Sequence, residues 1–134
     1  MSSTPPIILS GFADECANQK TAVEQLAVFA ALGLRYYSVR FIDLGAGVKN
    51  VMKLSDDEIT KLRKLNAEYG LSVATIGSPI GKVKLVDRED GTHNQFIPFD
   101  TYLEQDVRRA IDLAHRLGTK LVRGFSFYPP KGDD

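Results

Sequence analysis

Three glycines, each lying between a helical stretch and an apolar stretch, constrain the fold of this chain most strongly. They occur in the tripeptides Leu32-Gly33-Leu34, Tyr69-Gly70-Leu71 and Leu117-Gly118-Thr119. Glycine adopts the left-handed conformation that ends a helix at little cost, so each tripeptide predicts a helix end followed at once by a strand. The repeated order of strand, helix and strand predicts parallel strands joined by helical crossovers.

The predicted elements are four strands and three helices. The strands are expected at residues 7–13, 35–42, 71–77 and 120–127. The helices are expected from about Asn18 to Leu32, from Ser55 to Tyr69 and from Asp100 or Thr101 to Leu117. Ser55 and Glu58 have the spacing of a capping box. The helical spacing of apolar residues predicts buried faces in the first and third helices: Val23, Leu26, Ala27 and Ala30, then Leu103, Val107, Ala110, Ile111, Ala114 and Leu117.

Composition and charge narrow the function classes. The 134 residues are 43% hydrophobic with a formal net charge of zero, which is typical of one soluble domain, assigned here to residues 1–134. No stretch concentrates Lys and Arg, so duplex nucleic acid is not expected as a partner. No apolar run approaches the roughly 20 residues of a membrane span. The start lacks the pattern of a secretory signal, and the single cysteine, Cys16, excludes an internal disulfide, so we expect a cytoplasmic protein.

Two parallel α/β folds are compatible with this alternation. A doubly wound nucleotide-binding fold requires a glycine-rich turn after the first strand, but SGFADEC (10–16) contains one glycine. The stretch GSPIGKV (77–83) has three residues between its glycines and ends in valine, so it is not a phosphate loop. The sequence therefore predicts an α/β fold of the partial (β/α) TIM barrel type. Its four strands are half of the eight in a (β/α)8 barrel of about 250 residues.

The second predicted strand has two chemically different faces. Alternation directs its side chains to opposite sides of the sheet: Tyr37, Val39 and Phe41 toward the helices, and Tyr36, Ser38 and Arg40 toward the interior. An inward Arg40 near the C-terminal end of the strand is a candidate ligand-binding residue, since barrel enzymes place their sites there. The alternative is that Arg40 pairs with a carboxylate of the core.

Four segments carry a resemblance to a known family. They are IGSPIGKV (76–83), VRGFSFY (122–128), GLRYYSVRFID (33–43) and KNVMKLSDDEI (49–59). Together they resemble the sugar phosphate isomerase/epimerase group of the xylose-isomerase-like TIM barrels, over nearly the whole chain from about Ile7. In that family a manganese, magnesium or zinc ion polarises the sugar oxygens, and two metal-bound glutamates exchange protons with a substrate carbon.

The resemblance implies a sugar or sugar-phosphate isomerase or epimerase of carbohydrate metabolism. The metal ligands of the family lie on strands five to eight, so the resemblance assigns no metal ligand and no catalytic residue to this chain. We therefore expect an N-terminal half-barrel that supplies substrate-wall residues without the metal site and is inactive alone. The tripeptide Ser38-Val39-Arg40 departs from the Glu-hydrophobic-Arg pattern of several relatives, which removes one carboxylate from the site.

Five residues are the candidate substrate-binding set: Arg40, Ser78, Lys82, Ser126 and Tyr128. Arg40 is expected to hold a phosphate or hydroxyl group through a bidentate contact. Ser78 and Lys82 are expected to bind an anionic or polyhydroxylated ligand, and Ser126 and Tyr128 to line the mouth. The expected partner is a small sugar or sugar phosphate. The alternative for the loop around Ser78 is a rigid turn in which Lys82 is solvated.

The remaining polar candidates favour structural roles. Asp14 and Glu15 are expected to stabilise the start of a helix through its dipole. His115 lies in the last helical turn, and His93 lies in a polar loop without recognisable metal-ligand spacing.

Other functions stay open at this point. One is a non-catalytic half-barrel that forms a homo-oligomer or pairs with a separate C-terminal half, because bare strand edges and an uncovered inner face favour association. Another is lyase or nuclease chemistry on the same superfamily barrel, with the zero net charge disfavouring the nuclease.

Overall fold

A computed structural model describes residues 7–132 and shows a mixed α/β fold, while the predicted domain of residues 1–134 extends past this range at both ends. The elements in chain order are α1 (Ala22–Ala31), β1 (Tyr36–Val39), β2 (Phe41–Asp43), β3 (Val48–Asn50), α2 (Asp56–Tyr69), β4 (Ser72–Ile80), α3 (Phe99–Thr101), α4 (Arg108–Leu117) and β5 (Leu121–Gly124). Among residues 7–132 there is no helix with the length and apolar character that a membrane crossing requires.

The parallel pairing predicted from the sequence is confirmed for three strands. They are hydrogen-bonded in the order β1, β4, β5, and both pairings are parallel. The predicted helix ends are also confirmed, since Gly70 and Gly118 follow α2 and α4 with φ values of 66° and 74°. The capping box is present: the Glu58 N–H donates to the Ser55 hydroxyl, and the Ser55 N–H donates to the Glu58 carboxylate.

The first predicted strand, residues 7–13, is wrong as a strand. Only Phe12 forms a parallel bridge, to Ser38, where the Ser38 N–H donates to the Gly11 carbonyl over 2.8 Å. The chain then bends into a 3-10 turn at Ala13–Glu15, which removes the following residues from the extended conformation. The prediction of four parallel strands is therefore wrong for the described part of the chain, where the parallel sheet has three, and the partial barrel stays a prediction.

The end of the second predicted strand is also different, because it turns into a hairpin. β2 pairs with β3 in an antiparallel ladder. The Asp43 carboxylate accepts hydrogen bonds from the N–H groups of Gly45 and Gly47, which fixes the turn between the two strands. Tyr37 and Val39 are buried as predicted, whereas Phe41 is 39% exposed because it belongs to the hairpin rather than to the sheet.

The buried faces of two helices differ from the predicted stripes. In α1 the buried residues are Ala22, Gln25, Leu26 and Phe29, and Val23 is exposed. In α4, Leu113 is buried and Ile111 is exposed. A π-helical segment, Tyr102–Val107, precedes α4 without a break, and its wider turn shifts the apolar stripe relative to an uninterrupted α-helix.

The core lies between the parallel sheet and the helices that cover one side of it. Its fully buried large side chains include Leu26, Tyr37, Ile59, Leu62, Ile76 and Leu113. The Tyr37 hydroxyl donates to the Asn66 side chain over 2.7 Å, and burial raises the pKa of this phenol. This bond joins β1 to α2 inside the core and satisfies two polar groups that burial would otherwise destabilise.

A register shift in β4 shapes the C-terminal end of the sheet. Ile76 lies opposite Val122, and Ile80 lies opposite Gly124, so β4 advances by four residues while β5 advances by two. Beyond the bulge, the residues that follow β5 run alongside the end of β4. The N–H groups of Phe125 and Phe127 donate to the carbonyls of Ile80 and Gly81. Bulges of this kind redirect side chains at strand ends.

Gly81 allows this close approach. Its φ of +79° is left-handed, and a Cβ atom there would lie 2.0 Å from the Phe125 carbonyl oxygen. We expect Gly81→Ala to lower the free energy of unfolding by about 2 kcal/mol or more, because backbone strain and a clash add together. Urea unfolding monitored by circular dichroism measures the loss.

Gly91→Ala is the matched control for this substitution. Gly91 has a similar φ of +73°, but a Cβ atom there would have no neighbour within 4 Å. We therefore expect Gly91→Ala to lower the free energy of unfolding by about 1 kcal/mol, from backbone strain alone. Equal losses in the two variants would contradict the tight contact between Gly81 and Phe125.

Candidate functional site

Cationic and aromatic side chains meet at the C-terminal edge of the parallel sheet. Arg40 follows the last residue of β1, Lys82 follows β4, and Arg123 lies in β5. Their contacts with the rings of Phe12 and Phe125 define a group of five residues, called here the cation–ring cluster. Parallel α/β proteins bind their ligands at this edge, so the cluster is the candidate functional site.

Arg40 is fixed by two carboxylates from the 3-10 turn. Its Nε and Nη2 atoms donate to Asp14 Oδ2 over 2.9 and 2.8 Å, and Nη2 also donates to Glu15. The Asp14 side chain is fully buried and the Arg40 side chain is 20% exposed. The hydrogen bond to Asp14 raises the pKa of Arg40 further above its usual value. The pairing of Arg40 with a core carboxylate, the alternative considered from the sequence, is therefore present.

Arg123, which is not among the residues predicted to bind substrate, has a different environment. Its Nε atom donates to the Ser78 carbonyl over 3.0 Å, and Nη2 donates to the Gly77 carbonyl over 3.3 Å. These carbonyls belong to the bulge in β4, so Arg123 satisfies backbone groups that the shifted ladder leaves available. Burial, and to a smaller extent the nearby charge of Arg40, lower the pKa of Arg123.

Two phenylalanine rings connect the three cations. The guanidinium carbons of Arg40 and Arg123 lie 4.8 and 5.1 Å from the centre of the Phe12 ring. The Phe125 ring lies 5.0 Å from Arg123 and 5.5 Å from Lys82 Nζ. All four distances are within the range of cation–π attraction, so the rings stabilise neighbouring positive charges that repel one another.

Gly77 leaves the space that this arrangement requires. A Cβ atom at Gly77 would lie 2.6 Å from the Val39 carbonyl oxygen and 2.7 Å from Arg40 Cβ. Only glycine permits β1 and β4 to approach so closely at this level. Gly77 thus brings Arg40 against the bulge whose carbonyls hold Arg123.

The five predicted substrate-binding residues lie near one another but differ in accessibility. Ser78 is buried and its hydroxyl accepts from the Ile80 N–H over 3.0 Å. Lys82 and Ser126 are exposed, and Arg40 and Tyr128 are half-buried. The segment that contains Ser78 and Lys82 is hydrogen-bonded to the segment that contains Ser126 and Tyr128, with the Tyr128 N–H donating to the Val83 carbonyl. Their binding roles stay predictions.

The loop between β4 and α3 is held against this edge. The N–H groups of Lys84 and Leu85 donate to the carbonyls of Gln95 and Tyr128. The Lys84 ammonium pairs with Asp90 at 3.3 Å. Hydrogen bonds from the Thr92 hydroxyl and N–H lower the pKa of Asp90 to about 2, with a further contribution from Lys84. The ordered contacts give this long connection a defined position beside the cation–ring cluster.

The other polar candidates from the sequence lie outside the cluster. His93 and Cys16 are exposed. His115 is exposed on α4 and lines a cleft of about 430 Å³ beside Arg116 and Asn66. In the described part of the chain, no three side chains of His, Cys, Asp or Glu converge as a metal site would require. The donor set of residues 7–132 therefore does not fit the divalent ion that the resemblance implies.

Comparison of the sequence with models of known protein families gives no match, and no curated protein matches it significantly. The function is therefore inferred from the chemistry of the cation–ring cluster and its surroundings.

Breaking the pair of Asp14 and Arg40 is expected to destabilise the fold, because the remaining charge loses its counterion in a mostly buried place. Asp14→Asn keeps the size of the side chain but removes its charge, leaving Arg40 with a weaker acceptor in a mostly buried place. We expect a loss of about 2 kcal/mol in the free energy of unfolding, measured by urea denaturation at pH 7.

Glu15→Gln is the control, because the Glu15 side chain also contacts Arg40 but is 66% exposed. Water screens that contact, so we expect Glu15→Gln to lower the free energy of unfolding by less than about 1 kcal/mol. Similar small losses for Asp14→Asn and Glu15→Gln would contradict the dominant role of the buried carboxylate.

Proposed function

We propose that this chain forms one side of a (β/α) barrel of the sugar phosphate isomerase/epimerase type and binds a sugar or sugar phosphate at its C-terminal edge. The observation that carries the proposal is the cation–ring cluster, in which two guanidinium groups and two rings meet where parallel strands end. Barrel enzymes bind their substrates at that edge, on residues from several strands.

The chemistry of the cluster suits a polyhydroxylated ligand. Aromatic rings offer flat apolar surface, and guanidinium and hydroxyl groups donate hydrogen bonds in fixed directions. Phe125 is 38% exposed, so part of its surface is accessible beside the cations. Small-molecule sites typically combine such apolar surface with a few polar groups that set the orientation of the ligand.

The role proposed for the chain is to bind and orient the substrate. In the full enzyme type, a divalent ion polarises substrate oxygens while carboxylates move protons. The side chains of residues 7–132 do not offer a ligand set for that ion, so no step of isomerisation or epimerisation is assigned to them. Arg40, held by Asp14 and Glu15, contributes a rigid wall. The exposed Lys82 and Ser126 and the half-buried Tyr128 contribute contacts.

A second candidate is an assembly role, as a homo-oligomer or with a separate C-terminal half. The observation that favours it is apolar surface outside the core: Ile7, Leu9 and Leu121 are 88, 67 and 60% exposed. Leu121 lies on β5, which has a hydrogen-bonded neighbour on one side only in the described sheet. Open strand edges favour association with further strands. The two candidates are compatible, because pairing completes a barrel and its site together. A cytoplasmic location is part of the same proposal.

The binding role predicts where substitutions weaken affinity for a sugar. Ser126→Ala and Tyr128→Phe each remove one hydroxyl at the C-terminal edge, and each is expected to weaken binding of a ketose or its phosphate by about twofold to tenfold. Titration calorimetry with pentuloses, hexuloses and their phosphates measures the affinities.

Ser72→Ala and Tyr69→Phe are the matched controls, since both residues lie at the opposite end, where α2 ends and β4 begins. They are expected to leave the affinity unchanged. Absence of binding for every sugar and sugar phosphate, or equal effects of the test and control variants, would overturn the proposed function.

A further inference from the structure

The charges of the cation–ring cluster are not balanced within the described part of the chain. Arg40, Arg123 and Lys82 lie against the rings of Phe12 and Phe125, and Lys20 adds a fourth positive charge 3.9 Å from the Asp14 carboxylate. The carboxylates that pair with this group are Asp14 and Glu15, and both are engaged by Arg40, with Asp14 also near Lys20. The excess of positive charge lies on the side of Arg123 and Lys82.

The guanidinium group of Arg123 has unused hydrogen-bond donors that are held in a fixed orientation. Two of the five N–H groups of a guanidinium are used by the carbonyls of Gly77 and Ser78. These two bonds and the two flanking rings orient the group, while its other N–H groups have no acceptor among residues 7–132. No carboxylate in that range forms an ion pair with it. An arginine held in this way is organised for a further acceptor without losing side-chain freedom on binding.

Lys82 adds a second charge beside the same ring. Its ammonium lies against Phe125, which Arg123 also contacts, and within the described residues it forms no ion pair. The two charged groups lie 5.0 and 5.5 Å from the centre of this ring, so an anion bound by Arg123 also lies in the field of Lys82. Lys82 is exposed, so it is available from solvent.

We infer that Arg123 and Lys82 form an oxyanion-binding pair that selects ligands carrying a phosphate or carboxylate group. The inference rests on the proposed function in one respect, since it assigns the charged group of the ligand that binds at the C-terminal edge. Arg40 does not share this role, because the carboxylates of Asp14 and Glu15 already neutralise its charge, whereas Arg123 donates only to uncharged carbonyl groups. Arg40 is a positioning residue that holds the Phe12 ring against Arg123.

The oxyanion is favoured over a neutral ligand for a physical reason. A partly buried cation without a counterion retains much of its cost of desolvation, which an anionic group offsets and a hydroxyl group does not. Charge-assisted hydrogen bonds from guanidinium to phosphate or carboxylate are also about twice as strong as neutral ones.

The test compares four probes on the whole chain by titration calorimetry at low ionic strength: fructose 6-phosphate, gluconate, fructose and inorganic phosphate. The two anionic sugars are expected to bind at least about tenfold more tightly than fructose, with an advantage that shrinks as salt is added. Tighter binding of fructose 6-phosphate than of gluconate assigns the pair to phosphate, and the reverse order assigns it to carboxylate.

Arg123→Gln is expected to weaken binding of the preferred anion by about tenfold to a hundredfold, and Lys82→Gln by about threefold. Both are expected to weaken the binding of fructose much less than that of the anion, because a neutral hydroxyl group forms weaker hydrogen bonds with a cation than an oxyanion does. Arg63→Gln on α2 and Lys120→Gln at the other end of β5 remove exposed charges of the same kinds as controls, and no effect is expected from them.

The outcomes separate this inference from the proposed function. Equal affinities for fructose and fructose 6-phosphate, unaffected by the variants, overturn the oxyanion pair and leave the sugar site standing. Binding of inorganic phosphate that depends on Arg123, without binding of any sugar, supports the pair and overturns the sugar site. Absence of binding by all four probes overturns both. Where Arg123→Gln does not fold, unchanged affinity of Lys82→Gln for both anionic sugars overturns the pair.

Discussion

The contact between the buried Asp14 carboxylate and Arg40 is the constraint on which the candidate site depends. It ties the 3-10 turn at the start of the described chain to the end of β1. The same turn follows Phe12, so fixing Asp14 also fixes the ring that lies against both Arg40 and Arg123. A buried charge pair of this kind contributes geometry more than net stability, because desolvation offsets much of the attraction. Its role here is to hold an aromatic surface between two cations.

Backbone proximity at two glycines makes the rest of the arrangement possible. Gly77 lets β1 and β4 meet beneath Arg40, and Gly81 lets the chain after β5 cross the end of β4. Between them lies the bulge whose carbonyls hold Arg123. Regular pairing would use those carbonyls in the ladder, so the irregular register is what brings a guanidinium group to this edge. The cluster therefore combines a paired arginine with an arginine and a lysine whose charges are open to a ligand.

Local rules predicted the elements whose cause is local. The glycine helix ends, the capping box of α2 and the parallel direction of three strands follow from short-range sequence signals. The bend after Phe12 was missed because a tertiary contact, between Asp14 and Arg40, holds it. The hairpin was missed because its signal is a local turn at Asp43, Gly45 and Gly47, which the pattern of apolar residues does not show. Arg40 was found because it alternates with buried residues, but its partner Asp14 lies 26 positions away. The sequence marks Arg123 in one way only, as a charged residue inside the apolar stretch LVRGFSF (121–127). Its role could not be predicted, because it depends on the bulge in the neighbouring strand.

A crystal structure of the chain with a bound phosphorylated ketose tests the central claim most directly. That claim is that the C-terminal edge of β1, β4 and β5 forms the binding site through the cation–ring cluster. We expect the phosphate within hydrogen-bond distance of Arg123 and the sugar beside Phe125. A ligand bound instead in the cleft lined by His115 and Asn66, with the cluster unchanged and unoccupied, would contradict it.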